Sequence, residues 1–449
     1  MPVVVAGAGV SGAPAARVLR ELGARVTVAD GSEERSEALR AEGFPVDDLA
    51  VPPAGTALVV TSPGWRPDSP LLVAAAAAGV EVVGEVELAW RLRTVFRGAA
   101  AAPWLTLTGT NGKTTTVGML ESVLAAAGRR TVAAGNVGLP LLDAVRDELD
   151  VLAVELSSFQ LHWSSSLRPQ AAALLNLADD HTDWHGSFAA YARAKAKVWS
   201  GGTSVGNADD EQVRRLLDRA PGRRAAFTTT RVPRPGELGV VEDLLVDRAF
   251  PDVPGEGTEL ASLADLAVPG AHNVANALAA AALARATGVP AAAVRAGLRA
   301  FAPEPHRNAL VAEVDGVAWV DDSKATNPHA AAASLGTYDP VVWIAGGLLK
   351  GADVDGLVRA AAPRLAGVVL LGTDRAVLAE ALRRHAPQVP VVEVARLDTG
   401  AMSEVVDAAA RLAHPGSTVL LAPAAASMDC FRDYAERGEL FAEQVRERA

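Results

Sequence analysis

The chain has one cysteine, Cys430, in 449 residues, which excludes an internal disulfide and fits a reducing compartment. No apolar run is long enough to span a membrane, and the opening MPVVVAGAG lacks the cationic region and cleavage site of a secretory signal. A cytoplasmic protein with no membrane partner is expected. Positive charge is also short: the net charge is -11 at pH 7, so the basic field that binds nucleic acid is missing. A phosphorylated substrate must then be met by local donors. Lysine is scarce, with Lys113, Lys195, Lys197, Lys324 and Lys350 set against 37 arginines. Alanine saturation points to a GC-rich coding bias, under which a surface lysine drifts to arginine without cost. The lysines that persist are candidates for work a guanidinium cannot do, such as a compact charge on phosphate or an amine that loses its proton and reacts.

The length exceeds one ordinary core, so two or three domains are expected. Strand and helix patterns alternate throughout, which predicts an α/β fold of parallel sheets with helices on both faces. VVVAGAGVSG, RVTVAD, ALVVTSPG and VEVVGEVELAW carry the first segment, and RGAAAAP near residue 98 reads as a linker. WLTLTGTNGK, VLAVELSS and AAALLNLADDH follow, then helices through HNVANALAAAALARATG. A Pro-rich FAPEPHR near residue 302 opens a third segment with VAWVDDSKATN, VVWIAGGLLKGAD, GVVLLGT, VPVVEV and STVLLAPAAASMD. The boundaries expected are 1–97, 98–302 and 303–449.

PWLTLTGTNGKTTTVGML reads as a strand, a Gly-rich turn and a helix. That order aims backbone N–H groups and the positive helix end at one small volume, where an anion belongs. Lys113 would add a point charge on the outer phosphates and Thr114 a hydroxyl for magnesium. The turn departs from the general G-x-x-x-x-G-K pattern, whose first glycine would fall at Leu107.

Two further strands deliver Glu155, and Asp179, Asp180 and His181, to the carboxyl edge of the same sheet, where open parallel sheets bind ligands. Such groups beside nucleotide phosphates suit magnesium; Glu155 and His181 are read as metal-seeking, Asp179 as a helix cap. In SFAAYARAKAKVW, helical spacing puts Phe188, Tyr191, Ala192, Lys195 and Trp199 on one stripe, with Lys195 inward and Lys197 toward solvent. A half-buried lysine has its neutral form favoured, and a neutral amine can add carbon dioxide to become a carbamate. The alternative is a lysine that snorkels to water.

At the N-terminus, GAGVSG (Gly7 to Gly12) between a strand and a helix, with Asp30 ending the next strand, is a dinucleotide-binding fingerprint. An NAD-dependent oxidoreductase is the reading this turn allows from another class. A P-loop switch protein is a third, weakened by the large third segment.

The ordered motifs GTNGKTTT, GNVG, ELSSFQL, NLADDHTDWHG, HNVANALAA, PHRNALV, DDSKATNPHA, GGLLKGAD and APAAASMDCF together resemble the Mur ligase family of peptidoglycan synthesis over nearly the whole chain. SSFQL and DSKATN resemble the members that add D-glutamate better than those that add other amino acids or the folylpolyglutamate-synthase-like relatives. The resemblance implies a Rossmann-like UDP-binding first domain, a P-loop-type ATPase second domain and a Rossmann-like amino-acid-binding third domain, in a monomer. It implies ATP as co-substrate, with UDP-N-acetylmuramoyl-L-alanine and D-glutamate as the other partners. Gly109, Thr110, Asn111, Gly112, Lys113, Thr114 and Thr115 would hold ATP, with Asn276 at adenine and Arg307 and Asp322 reaching it from the third domain. Thr114, Glu155, His181 and a carbon dioxide-derived carbamate on Lys195 would complete two Mg2+ sites. Val10, Ser11, Asp30, Gly31, Ser62, Gly64, Asn136, Gln160 and His181 would line the UDP substrate. Ser323, Lys324, Thr326, Lys350, Ser427, Met428 and Tyr434 would bind D-glutamate, with Lys324 among the catalytic groups beside Lys113, Glu155, His181 and Lys195. Two departures are noted: Leu348 and Leu349 replace a more polar, glycine-containing turn, and Tyr434 stands where phenylalanine is usual. Closure by rotation of the third domain about the stretch near 302 is expected.

Overall fold

The computed structural model describes residues 1–448 apart from 269 and 304. They form three sheets in an α/β arrangement, as the alternation of patterns predicts. The first sheet contains β1 (Pro2–Ala6), β2 (Arg25–Ala29), β3 (Val46–Asp47), β4 (Leu58–Thr61) and β5 (Glu81–Gly84), all parallel in the order β3-β2-β1-β4-β5. The second holds β6 (Trp104–Thr108), β7 (Ala133–Gly135), β8 (Leu152–Glu155), β9 (Ala171–Leu174), β10 (Thr203–Asn207), β11 (Arg223–Thr228), β12 (Glu237–Val241), β13 (Leu244–Asp247) and β14 (Thr258–Ser262). Its order is β14-β13-β12-β11-β10-β9-β6-β8-β7. The third holds β15 (Ala309–Val314), β16 (Val317–Asp321), β17 (Val341–Gly346), β18 (Leu365–Leu371), β19 (Val391–Glu393) and β20 (Thr418–Leu421), ordered β15-β16-β20-β17-β18-β19.

Two sequence expectations are corrected. The stretch read as helices after AAALLNLADDH contains β10 to β14; within it VVEDLLVD folds back as β12 and β13 about a two-residue turn in which Glu242 takes φ 57°. The sheets are also not wholly parallel, since β12 with β13, β13 with β14 and β15 with β16 run antiparallel.

Residues 1–266 and 275–301 cluster as one compact unit, and residues 267–274 and 302–449 as another. Within the first unit, helix Glu85–Arg97 links the first two sheets. Its Glu87, fully buried, accepts the Ser165 and Ser166 N–H groups at 2.9 and 3.0 Å. In the second unit Trp343 of β17 is fully buried and donates its indole N–H to the Ala422 carbonyl at 2.7 Å. Strands this apolar on both faces are what a helix-covered sheet demands.

Candidate active site

β6 is buried along its whole length, and the turn that leaves it must be tight. Gly112 takes φ 79°, and a Cβ there would stand 2.3 Å from Asn276 Oδ1, so only glycine fits. Asn176, absent from the sequence reading, holds the turn from both sides: its Oδ1 accepts the Asn111 N–H at 2.8 Å and its Nδ2 donates to the Asn111 carbonyl at 3.1 Å. Thr110 is fixed by the Tyr191 hydroxyl at 2.8 Å and by the Ala178 N–H at 3.0 Å. Helix Lys113–Ala126 then starts with no side-chain cap, which leaves its first N–H groups facing the turn. Lys113 Nζ donates to the Thr110 carbonyl at 3.0 Å, and Thr114 and Thr115 are buried behind it.

Lys195 is 2 % exposed, on the inward stripe the sequence predicts. Its amine donates to the Gly109 carbonyl at 2.7 Å and to Thr108 Oγ1 at 3.3 Å. Burial drives its pKa well below the ordinary value, and the Lys113 charge adds to the effect. Lys197 lies on the exposed side of the helix, its amine on the His162 and Ser164 carbonyls.

Glu155 ends β8 fully buried; Oε1 accepts from Asn136 Nδ2 at 2.8 Å, while Oε2 has no partner among the described residues. The following helix, Ser158–His162, is capped instead by Ser157 and Gln160, whose Oε1 accepts the Ser157 N–H at 2.9 Å. Helix Thr182–His185 starts from His181, in a left-handed conformation with no side-chain cap, so the capping role read for Asp179 is not realised. The His181 ring lies 4.7 Å from that of Phe159. Burial lowers its pKa, with Asp180 opposing and Lys195 and Lys113 assisting, which places these groups in one electrostatic neighbourhood.

In the first sheet, Gly7 takes φ 104° and a Cβ on Gly12 would meet the Gly7 carbonyl at 1.8 Å. The Ser62 hydroxyl packs against Gly7, buried and unpartnered, while Val10 and Gly64 are exposed. Asp30 supports the turn, accepting the Ala8 and Ser32 N–H groups at 2.8 Å and pairing with Arg35 at 3.0 Å. Burial works against its carboxylate, yet these hydrogen bonds hold its pKa below the usual range. Its neighbour Gly31 is exposed. Glu85, which sequence reasoning missed, is 5 % exposed and is bonded by Ser11 and by the backbone N–H groups of Leu141 and Leu142. Burial pushes its pKa up to about 7.

In the second unit, neighbouring parallel strands β16, β20 and β17 deliver the Lys324, Ser427 and Lys350 loops to one sheet edge. Lys350 is exposed with φ 53°, Met428 is exposed, Thr326 is half-buried, and Lys324 Nζ lies 5.0 Å from the Tyr434 ring. Ser427 is buried. Ser323 is fully buried, its hydroxyl donated to the Tyr434 carbonyl at 2.7 Å. Asp322 accepts from the Ser334 hydroxyl, and burial raises its pKa to about 6, with the Arg307 charge opposing. Arg307 is itself half-buried. Among the described residues no helix is long and apolar enough to cross a membrane.

Comparison with known proteins matches residues 107–284 to the Mur ligase middle domain and residues 306–425 to the Mur ligase, glutamate ligase domain. Residues 1–49, which hold β1 to β3 and the helices between them, match the alanine dehydrogenase/PNT C-terminal domain. The chain is 63 % identical to UDP-N-acetylmuramoylalanine--D-glutamate ligase of Thermobifida fusca, over 99 % of this chain and 98 % of that protein. It is 58 % identical to the protein of that name from Streptomyces coelicolor, over the same shares. In fold it is similar to MurF from Acinetobacter baumannii, with a TM-score of 0.63 at 19 % identity over 93 % of this chain and 89 % of that one. The phosphate-type turn, the acid and lysine around it, and full-length identity at this level place the chain in the Mur ligase family.

Proposed function

We propose that this chain is a cytoplasmic, ATP-dependent ligase that joins D-glutamate to UDP-N-acetylmuramoyl-L-alanine. The observation that carries the reading is the uncapped helix start at Lys113, with Lys195, Glu155 and His181 in the same electrostatic neighbourhood. The terminal phosphoryl group of ATP passes to the alanyl carboxylate, and the D-glutamate amine attacks the acyl phosphate. An amide, ADP and phosphate result. The difficulty is that a carboxylate must approach a triphosphate. The turn N–H groups and Lys113 oppose that repulsion, and the fixed turn holds the reactants in line.

The donors around the turn fit magnesium. Among the described residues no three of His, Cys, Asp and Glu stand together as a metal set, and the reading adds a threonine hydroxyl and a carbamate oxygen to Glu155 and His181. The unpartnered Glu155 Oε2 and the neutral-favoured Lys195 amine are the groups such a set needs. Thr114, Glu155, His181 and carbamylated Lys195 would hold two Mg2+ ions, which supply positive charge against the phosphates and the activated carboxylate. Gly109 to Thr115 would cradle ATP, and Arg307 and Asp322 are assigned to it as well. Asn276, packed on Gly112, would act at the turn as well as at adenine. Val10, Ser11, Asp30, Gly31, Ser62, Gly64, Asn136 and Gln160 would bind the UDP substrate. The two carboxylates of D-glutamate call for Lys324 and Lys350, with Ser323, Thr326, Ser427, Met428 and Tyr434 shaping the pocket. The division at 1–97, 98–302 and 303–449 and a monomeric state are part of the same reading.

Phosphate release should be measured with UDP-N-acetylmuramoyl-L-alanine and, in turn, D-glutamate, L-glutamate, L-lysine and meso-diaminopimelate. Stimulation by D-glutamate alone is expected; stimulation by another of them instead would overturn the substrate assignment.

A further inference from the structure

Helix Tyr434–Arg446 carries a fully buried arginine, Arg437, that has no carboxylate partner within 4.0 Å among the described residues. Its guanidinium is spent on backbone and hydroxyl oxygens. Nε donates to Ser323 Oγ at 3.0 Å, Nη2 to the Ser323 carbonyl at 2.8 Å and Nη1 to the Ala425 carbonyl at 3.2 Å. Burying a cation without an ion pair is costly, and burial lowers its pKa to about 10, so it remains charged at neutral pH. The next residue, Gly438, is equally constrained: a Cβ there would stand 2.1 Å from His306 Nδ1 and 2.7 Å from Asp321 Oδ2. Those two groups bond each other at 2.6 Å, and the His306 carbonyl accepts the Lys324 N–H at 3.2 Å.

These contacts fall on loops that leave adjacent strands. Ser323 precedes Lys324 on the loop after β16, and Ala425 precedes Ser427 and Met428 on the loop after β20. The loops are already tied once, by the Ala424 N–H to the Ala325 carbonyl at 2.9 Å. The second loop is tied in turn to that of Lys350 through Leu348 and Ala426, which exchange N–H···O bonds at 2.8 and 3.0 Å. A planar guanidinium with five donors can serve carbonyls on both loops at fixed separation; an ammonium cannot reproduce that fork.

We propose that Arg437 is a positioning residue for the amino-acid substrate. By bonding the 323 and 425 carbonyls at once, it sets the spacing of the loops that carry Lys324 and Ser427, and thereby the affinity for a dicarboxylic amino acid. This rests on the D-glutamate pocket proposed above. The test is Arg437→Lys with full steady-state kinetics. Loss of the fork should raise KM for D-glutamate about tenfold or more, while KM for ATP and for the UDP substrate moves less than about twofold and kcat stays within about threefold. An arginine that only supports the fold would instead lower the amount of active enzyme and leave every KM alone, and that result overturns the proposal. Should Arg437→Lys fail to fold, Arg437→Gln keeps an amide donor for one loop carbonyl without the charge. It should also raise KM for D-glutamate about tenfold or more while the other KM values move less than about twofold, and an unchanged KM for D-glutamate overturns the role. If the unmodified enzyme takes a different amino acid, the substrate assignment fails, and Arg437 is then judged on KM for that amino acid.

Discussion

Replacing Glu85 by glutamine should remove a pH dependence of stability that the buried carboxyl imposes. In the folded chain its pKa is raised from 4.5 to about 7, and burial is the largest cause. The folded state therefore holds a proton that the unfolded state releases, so stability is full below about pH 4.5 and falls as pH rises toward about pH 7, where it levels off. At 1.36 kcal/mol per unit, the carboxyl costs about 3 kcal/mol at the upper end. The hydrogen bonds from Ser11, Leu141 and Leu142 reduce the penalty without removing it. Chemical denaturation of wild type and Glu85→Gln, across that range in matched buffers, gives the difference directly. The variant should gain about 3 kcal/mol on wild type as pH rises through the window. Parallel curves would refute the assignment of a buried, proton-holding carboxyl between Ser11 and the Leu141 helix start.

Other outcomes follow from the phosphate turn. Lys113→Ala should abolish ATP turnover while circular dichroism and melting stay unchanged; retained turnover would remove its role on phosphate. Gly112→Ala must place a side chain at φ 79° and 2.3 Å from Asn276 Oδ1. It should lose at least about 1–2 kcal/mol of stability and bind ATP more weakly, and titration calorimetry showing wild-type ATP affinity would contradict this. Lys195→Ala should be nearly inactive and partly restored by a small carboxylate such as formate or acetate. Full activity with no added carboxylate would exclude the carbamate.

The fold class and the strand, turn and helix around Lys113 were legible because they rest on local rules. An apolar strand, a Gly-rich turn and a helix start are contiguous, and the helical stripe that turns Lys195 inward spans about three turns. The strands β10 to β14 were not legible: their pairing is long-range, and the Glu242 turn lacks the usual Asn-Gly or Asp-Gly signature. Asn176, Glu85 and Arg437 escaped notice for the same reason. Asn176 meets Asn111 from 65 positions away and Arg437 meets Ser323 from 114, separations that no periodicity reveals. Gln160 and Ser323 were legible only through the family motifs SSFQL and DSKATN; their hydrogen bonds within the fold, Gln160 in a capping box and Ser323 to the Tyr434 carbonyl, were not.

The central claim is that the cationic turn at Lys113 allows a carboxylate to take the phosphoryl group from ATP. It is tested most directly with UDP-N-acetylmuramoyl-L-alanine labelled with oxygen-18 in its alanyl carboxylate. With ATP, magnesium and D-glutamate, the released phosphate should carry one labelled oxygen per turnover, delivered when the acyl phosphate breaks. Unlabelled phosphate accompanying amide formation would contradict the account.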